Sequence, residues 1–273
     1  MKLVPAIILH LLPSPVLSEA RSIAKVPGRG RRKPGAIMRA RREKDLRLFI
    51  RPSSVNAMPK ENDSRDQRMI TLFRKWSLFY DSKIVRLLYF DRVQPYIVKE
   101  LSLVLKNLQG KSLRCIDVAC GTGEILCRLA GEFPDVSFVG VDLSDDMIDV
   151  ARAKCGAMPN IQFVSANAIR LPFEDNFFDL SICTDAIHHF SVPEKILAEL
   201  YRITNRTGWV FVADPAYDTL FQRIIVGTFG ITLDKPIRYY PKKDLRAMIA
   251  GAGFSPISPG YKYFTNVFLA QKR

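Results

Sequence analysis

From residue 112 onward, apolar residues recur in two alternating rhythms. Short apolar runs at 112–119, 136–142, 161–165, 180–184, 209–213 and 266–270 are rich in β-branched and aromatic residues and too brief for helices, so they predict strands. Residues 124–132, 145–155, 194–203 and 242–252 instead place apolar side chains three and four apart, the spacing of one helix face, and Pro241 stands where a helix can open. Strand and helix in alternation predict a parallel sheet covered on both faces. Residues 215–240 break the alternation with Tyr217, Phe221, Ile224, Ile225 and Phe229 among few charges. Such a segment is long enough to form a helical cover over a pocket, and an oligomer contact is the alternative.

Upstream the pattern changes twice. Residues 69–105 read as helical, with Trp76, Phe79, Tyr80, Ile84, Leu87, Leu88 and Phe90 as an apolar series. Residues 1–57 have no usable periodicity: 25–35 mix prolines, glycines and repelling charges that cannot bury a core, which predicts a disordered leader. The apolar stretch 3–12 contains Pro5 and His10 and is half the roughly 20 residues a membrane-spanning helix needs.

Charge sharpens this division. The chain has 273 residues, 48% of them apolar, and a net charge of +14, of which the leader carries +10 from 13 Lys and Arg against 3 acidic residues. An Arg-rich, acid-poor leader reads as an organelle transit peptide, as a secretory signal with Ser18, Glu19 and Ala20 near a cleavage site, or as sequence ahead of a start at Met38 or Met58. A nucleic-acid arm is a fourth reading, but no aromatic precedes Phe49 to stack on a base.

Ligands of a parallel sheet bind outside the carboxyl ends of its strands, which singles out Ala119 to Gly123, Asp142, Asn167, Thr184 to His189 and Asp214. The first strand runs Cys115, Ile116, Asp117, Val118, Ala119 into a turn with Gly121 and Gly123. Glycine removes side chains where a ligand approaches the backbone, and the helix that follows aims its free amides at an anion. Asp142 closes the second strand nineteen residues after Gly123, where a carboxylate can accept both hydroxyls of a ribose; capping the next helix is the plainer reading, although Ser144, Asp145 and Asp146 already supply caps and leave Asp142 free. Leu126 stands where a dinucleotide fingerprint has its third glycine, which counts against NAD and FAD. Asp117 puts an anionic group at the mouth of the first strand, suited to an ammonium and not to a pyrophosphate. The expected ligand therefore carries an amine, an acid and an adenosine.

These residues resemble the class I S-adenosylmethionine-dependent methyltransferases, in particular the ubiquinone and menaquinone C-methyltransferase branch. The resemblance runs from about Tyr80 to the C-terminus. Its pieces are the glycine loop, Asp142 with Leu143 and Ser144, Asn167 and Ala168 with Leu171, Pro172 and Phe173, Phe178 with Asp179, and His188, His189 and Phe190. It implies a Rossmann-like three-layer α/β/α fold with a mostly parallel seven-stranded sheet and an antiparallel C-terminal strand. It also implies a methyltransferase domain over 69–273, with a helical cap at 69–105 and a substrate cover at 215–240.

S-adenosyl-L-methionine is the implied cofactor. Asp117 and the amides of Gly121, Thr122 and Gly123 would hold its methionine part, Asp142 its ribose, and Asn167 with Ala168 its adenine. Asn167 stands where the family has Asp and keeps an amide oxygen for the exocyclic amine. Ala119, Leu143, Met147 and Thr184 complete the set, and Tyr80 lies in a helix that closes over the cofactor or simply packs. Arg206, Thr207 and Gly208 replace the family's usual turn before the fifth strand.

Methyl transfer needs alignment more than it needs strong catalytic groups, so candidates are few. His188 is the first candidate for a general base, and its plain reading is a ring hydrogen-bonded in its own loop. Asp185 is the second candidate; Asp185 and Asp214 alike could orient a polar acceptor or merely cap a loop. The expected acceptor is a small molecule, hydrophobic in character, methylated on oxygen or carbon. Two other readings stay open, an RNA or protein methyltransferase holding its substrate with the leader, and a non-catalytic binder of the cofactor. Thr184, Asp185, Ala186 and Ile187 differ from the tetrapeptide of base-nitrogen methyltransferases, which counts against nucleic acid. Five cysteines without metal-ligand spacing predict no metal site and buried, unpaired thiols of a reducing compartment. The expected location is the cytoplasm, or an organelle if the leader is a transit peptide.

Overall fold

The computed structural model describes residues 91–108, 112–220, 222–223, 238–262 and 265–273. The readings of the leader 1–57, of Tyr80 with the first part of the 69–105 cap, and of most of the 215–240 cover lie outside the described residues. In chain order the elements are α1 (Asp91–Asn107), β1 (Arg114–Val118), α2 (Glu124–Glu132), β2 (Ser137–Asp142), α3 (Asp145–Cys155), β3 (Ile161–Ser165) and β4 (Phe178–Thr184). After a one-turn 3-10 helix at Ile187–His189 come α4 (Pro193–Ile203), β5 (Thr204–Pro215), α5 (Lys242–Gly251), β6 (Phe254–Lys262) and β7 (Thr265–Lys272).

The seven strands form one sheet in the order β3-β2-β1-β4-β5-β7-β6. Six run in the same direction, and β7 lies antiparallel between β5 and β6. Both faces are covered, which is why β1, β2 and β4 read as near-continuous apolar runs. Cys115, Phe138, Leu180, Ile182 and Phe211 face a core shared with α1, α2 and α3, whereas Ile116, Val118, Val212 and Phe268 face α4 and α5. Ser144 caps α3 by accepting from the Met147 amide at 3.4 Å, and Pro193 opens α4 at a position where its missing amide costs nothing.

Three departures from the sequence reading have physical causes. The run 209–213 is only the second half of β5, which starts at Thr204. Thr204 pairs with Phe178 and Trp209 with Leu180, so Asn205 to Gly208 bulge out of the ladder, and Arg206, Thr207 and Gly208 belong to the strand and not to a turn before it. β6 contains Pro256, Pro259 and Gly260, which hid it; the outermost place in the sheet tolerates prolines because one side of the ladder needs no donors. Cys127 and Cys155, expected as unpaired thiols, are joined by a disulfide between α2 and α3 with Cα atoms 5.7 Å apart. Their separation of 28 residues carries no local signal; the sheet order brings the two helices side by side.

Phe163 on β3 seals the layer beneath the glycine loop. A Cβ on Gly140 would lie 2.5 Å from the Phe163 ring and 3.0 Å from Cys120 Sγ, and one on Gly123 would lie 2.9 Å from the same ring. Gly140→Ala should therefore overpack this spot and lower stability by about 1–3 kcal/mol, read as a lower urea midpoint at unchanged slope. In that background Phe163→Leu should cost less than it does in the wild type; additive losses would show that the ring is not what the glycine accommodates.

Candidate functional site

The loops at the carboxyl ends of β1, β2, β4 and β5 converge on one edge of the sheet. The first is held in an unusual backbone path: Ala119, Gly121 and Gly123 have φ of 63°, 53° and 73°. Only glycine adopts that region without cost, so Ala119 is strained. The Cys120 amide donates to the Val141 carbonyl at 2.9 Å and the Gly123 amide to the Cys120 carbonyl at 3.0 Å, which closes the turn. The two glycines have different tasks. A Cβ on Gly121 would meet nothing within 4 Å, so this one leaves room for a ligand, while Gly123 makes room for Phe163. Gly123 precedes α2 with no side-chain cap, which leaves first-turn amides able to receive an anion.

Asp142 is not free, contrary to the sequence expectation. Its Oδ2 accepts the Gly121 amide and its Oδ1 the Ser144 amide, each at 2.9 Å. The carboxylate thus pins the glycine loop to the end of β2 as well as facing the cleft, and each oxygen keeps a lone pair for a hydroxyl. Burial pushes its carboxyl up, against the pull of those amides.

Asp117 is 2% exposed, and its Oδ1 has no hydrogen-bond partner. Burial raises its carboxyl well above the usual range, and the charge of Asp142 adds to the rise. A buried acceptor without a donor fits a ligand that brings an ammonium group. The Thr122 hydroxyl takes the Lys154 ammonium at 3.1 Å, so this residue offers the cleft its backbone. Asn167 turns its Oδ1 onto the Ile169 amide at 3.0 Å, which commits one lone pair of the oxygen expected to meet adenine. Leu143 and Ile169 are partly exposed apolar side chains beside these polar groups, Ala168 rests on the core below, and Met147 and Thr184 are buried.

A second cluster lies at the ends of β4 and β5. His188 is 8% exposed and Asp214 1%, and His188 Nδ1 lies 2.9 Å from Asp214 Oδ1. The nearby backbone amides of His188, Ile187 and Ala186 favour the charged form of Asp214, whose Oδ2 is buried without a hydrogen-bond partner. Burial opposes charge on both members: it drives the His188 imidazole down to about 3 and the Asp214 carboxyl up, and the three amides pull the latter back. His188 is accordingly a neutral ring. Burial and its neighbour His188 hold His189 well below its ordinary value too.

Tyr239 stacks on His188 with centroids 5.1 Å apart, and Tyr217 stacks on Tyr239 at 5.7 Å. Asp218 fastens this wall, accepting the Lys242 amide at 2.8 Å and the Asn266 side chain at 3.2 Å. Asp185 is displaced from the pair. Its backbone is left-handed, with φ of 51°, and its amide donates to the Ala213 carbonyl at 2.8 Å. The sequence reading named His188 and Asp214 separately and missed their pairing, which spans 26 residues, and it missed Tyr239, an aromatic residue with no local motif. Among the described residues no cluster of His, Cys, Asp and Glu is arranged to hold a metal ion, and no helix is long and apolar enough to cross a membrane.

Residues 116–212 match the family model described as a methyltransferase domain. The chain is similar to demethylmenaquinone methyltransferase of Thermus thermophilus, 32% identical over 163 residues that make up 52% of this chain and 74% of that protein. The enzyme of the same name from Geobacillus kaustophilus is 28% identical over 216 residues, or 71% of this chain and 91% of that one. In fold the chain is similar to magnesium protoporphyrin IX methyltransferase of Synechocystis with bound SAH, with a TM-score of 0.61, 18% identity and coverage of 77% of this chain and 98% of that one.

The two amides held by Asp142 generate a prediction. Asp142→Ala should release the glycine loop even without a ligand, so that hydrogen exchange at the Gly121 amide speeds up by roughly ten- to a hundred-fold, the loss of a charge-assisted bond of about 1.5–3 kcal/mol. Unchanged exchange would remove Asp142 as the pin.

Proposed function

Because the chain belongs to the class I S-adenosylmethionine-dependent methyltransferases, we propose that it methylates a small aromatic acceptor of the quinol class on a ring carbon or oxygen. The observation that carries this reading is the stack of Tyr217, Tyr239 and His188 beside the cofactor cleft, a flat wall against which an aromatic ring can lie. Relatives named for demethylmenaquinone support the choice of a quinol. The catalytic unit is a single domain over 69–273.

In this reading Asp117 takes the ammonium group of S-adenosylmethionine, the amides of Gly121 to Gly123 its carboxylate, Asp142 its ribose hydroxyls, and Asn167 and Ala168 its adenine, with Ala119, Leu143, Met147 and Thr184 around them. Bound there, S-adenosylmethionine supplies a methyl group on a sulfonium, open to in-line displacement. The protein's share is alignment, worth up to about 7–11 kcal/mol, and the handling of one proton. His188, neutral because it is buried, has a lone pair to receive the proton of an acceptor hydroxyl, and losing that proton makes both the oxygen and the adjacent ring carbon nucleophilic.

The test is to incubate the protein with methyl-labelled S-adenosylmethionine and either a naphthoquinol or the matching oxidised quinone, and to read the product by mass spectrometry. Label in the quinol arm alone is the expected result; label in neither arm overturns the acceptor. A second prediction concerns pH. The folded pKa of Asp117 lies above its unfolded value, so the free protein loses stability as pH rises through the folded pKa, and binding an ammonium there reverses that loss. Cofactor binding should therefore release a proton below that pKa and tighten as pH rises. Calorimetry in two buffers of different ionisation enthalpy checks this, and Asp117→Asn should weaken binding by roughly ten- to a hundred-fold and abolish the proton release.

A further inference from the structure

We infer that Asp214 is the positioning residue of the proton-accepting step: it fixes His188 in the tautomer that carries its proton on Nδ1, so that Nε2 is left to take the proton of the acceptor. This rests on the methyl-transfer reading above and adds a residue to it.

The geometry is specific. In its ionised form Asp214 is an acceptor only, and its Oδ1 lies 2.9 Å from His188 Nδ1, so beside the carboxylate this ring nitrogen carries the hydrogen. The backbone amides of Ala186, Ile187 and His188 lie near the same carboxylate and favour its charged form, so the group faces the very turn that bears the histidine. Tyr239 stacks on one side of the ring at 5.1 Å and His189 lies 4.0 Å away, so the ring plane is set as well. A carboxylate buried merely for structure would have both oxygens satisfied; here Oδ2 has no hydrogen-bond partner, so the group stays short of donors while beside a ring that can become a cation.

The balance of the step follows. The O–H bond of the acceptor breaks, its proton goes to Nε2 of His188, and its electron pair passes through the acceptor to form the new bond to the methyl carbon as the methyl–sulfur bond breaks. The positive charge that leaves the sulfonium reappears on the imidazolium, next to Asp214. The ionisable groups around His188 are Asp214 from β5, Asp185 from the end of β4, His189 from its own turn, and Tyr217 and Tyr239 from the wall. Asp214 is the group within hydrogen-bond distance of Nδ1 and so sets the tautomer.

Asp214→Asn keeps the shape but removes the charge, and an NH2 turned toward Nδ1 forces the hydrogen onto Nε2. With a quinol acceptor, kcat should fall by roughly 10²- to 10⁴-fold while KM for S-adenosylmethionine stays within about two-fold. The low-pH limb of the kcat profile, along which activity rises with pH as the pair loses its proton, should move, and Asp214→Glu should restore part of the rate. An acceptor whose hydroxyl is already ionised at the assay pH should be methylated by Asp214→Asn at near wild-type rate. An equal loss with that acceptor, or an unmoved pH profile, would overturn the inference. Nitrogen-15 shifts of the His188 ring in the wild-type protein test it without any variant: a protonated Nδ1 is expected, and a protonated Nε2 sinks it. The ring shifts read Asp214 even if no quinol is methylated, so failure of the acceptor assignment is distinguishable from failure of this one.

Discussion

Much of the cleft depends on one carboxylate holding two amides. Asp142 stands at the end of β2 and draws in the Gly121 amide from one side and the Ser144 amide from the other. Through the first it fixes a loop whose backbone runs through left-handed conformations and would not keep that path alone. Through the second it sets the start of α3, whose cap Ser144 then takes the Met147 amide. Parallel pairing of β1 with β2 places Val118 opposite Val141, so the loop and the carboxylate meet without further adjustment. The fold positions Asp142, and Asp142 positions the loop.

The polar groups of the cleft are buried beyond what their partners within the chain justify. Asp117 has an oxygen without a donor, Asp214 has another, and burial raises the carboxyls of Asp117, Asp142 and Asp214 together while it lowers His188 and His189. Other buried polar groups among the described residues are well supplied. Asn160 gives its side-chain amide to three carbonyls, and Lys272 is surrounded by Asn176, Tyr201 and Thr204. The contrast marks the strand ends as places where a ligand completes the hydrogen bonding.

What the sequence made legible was local. Residues 124–132 and 145–155 are helices to the residue, because apolar spacing and the Ser144 cap are readable over a dozen positions. β1 to β4 declared themselves by apolar runs that both faces of a covered sheet require. β6 did not, since Pro256 and Pro259 are admissible only at the sheet edge, a place that topology and not sequence assigns. Long-range partners were equally out of reach. Nothing near His188 points to Asp214, and nothing near Cys127 points to Cys155. Asn167 and Asp142 were singled out in the sequence, but each gives an oxygen to a backbone amide of the chain, which a motif does not display.

Two of the three described non-glycine residues with left-handed backbone show how the fold opens the cleft. Ala119 follows β1 and Asp185 follows β4, the two strands between which the order of the sheet reverses, and both are left-handed. The loop after β1 is tied outward, Cys120 to Val141 on β2, while the loop after β4 is tied the opposite way, Asp185 to Ala213 on β5. The two connections therefore diverge, and a crevice opens at the switch point. Asp117, the glycine loop, Asp142 and Asn167 lie on the β1, β2 and β3 side; His188, Asp214 and the tyrosine wall lie on the β4 and β5 side. A methyl donor held by the first group and a ring held by the second would face each other across the crevice, so the strain at Ala119 and Asp185, about 1–3 kcal/mol each, is offset by a fold that keeps the two halves apart by one strand spacing.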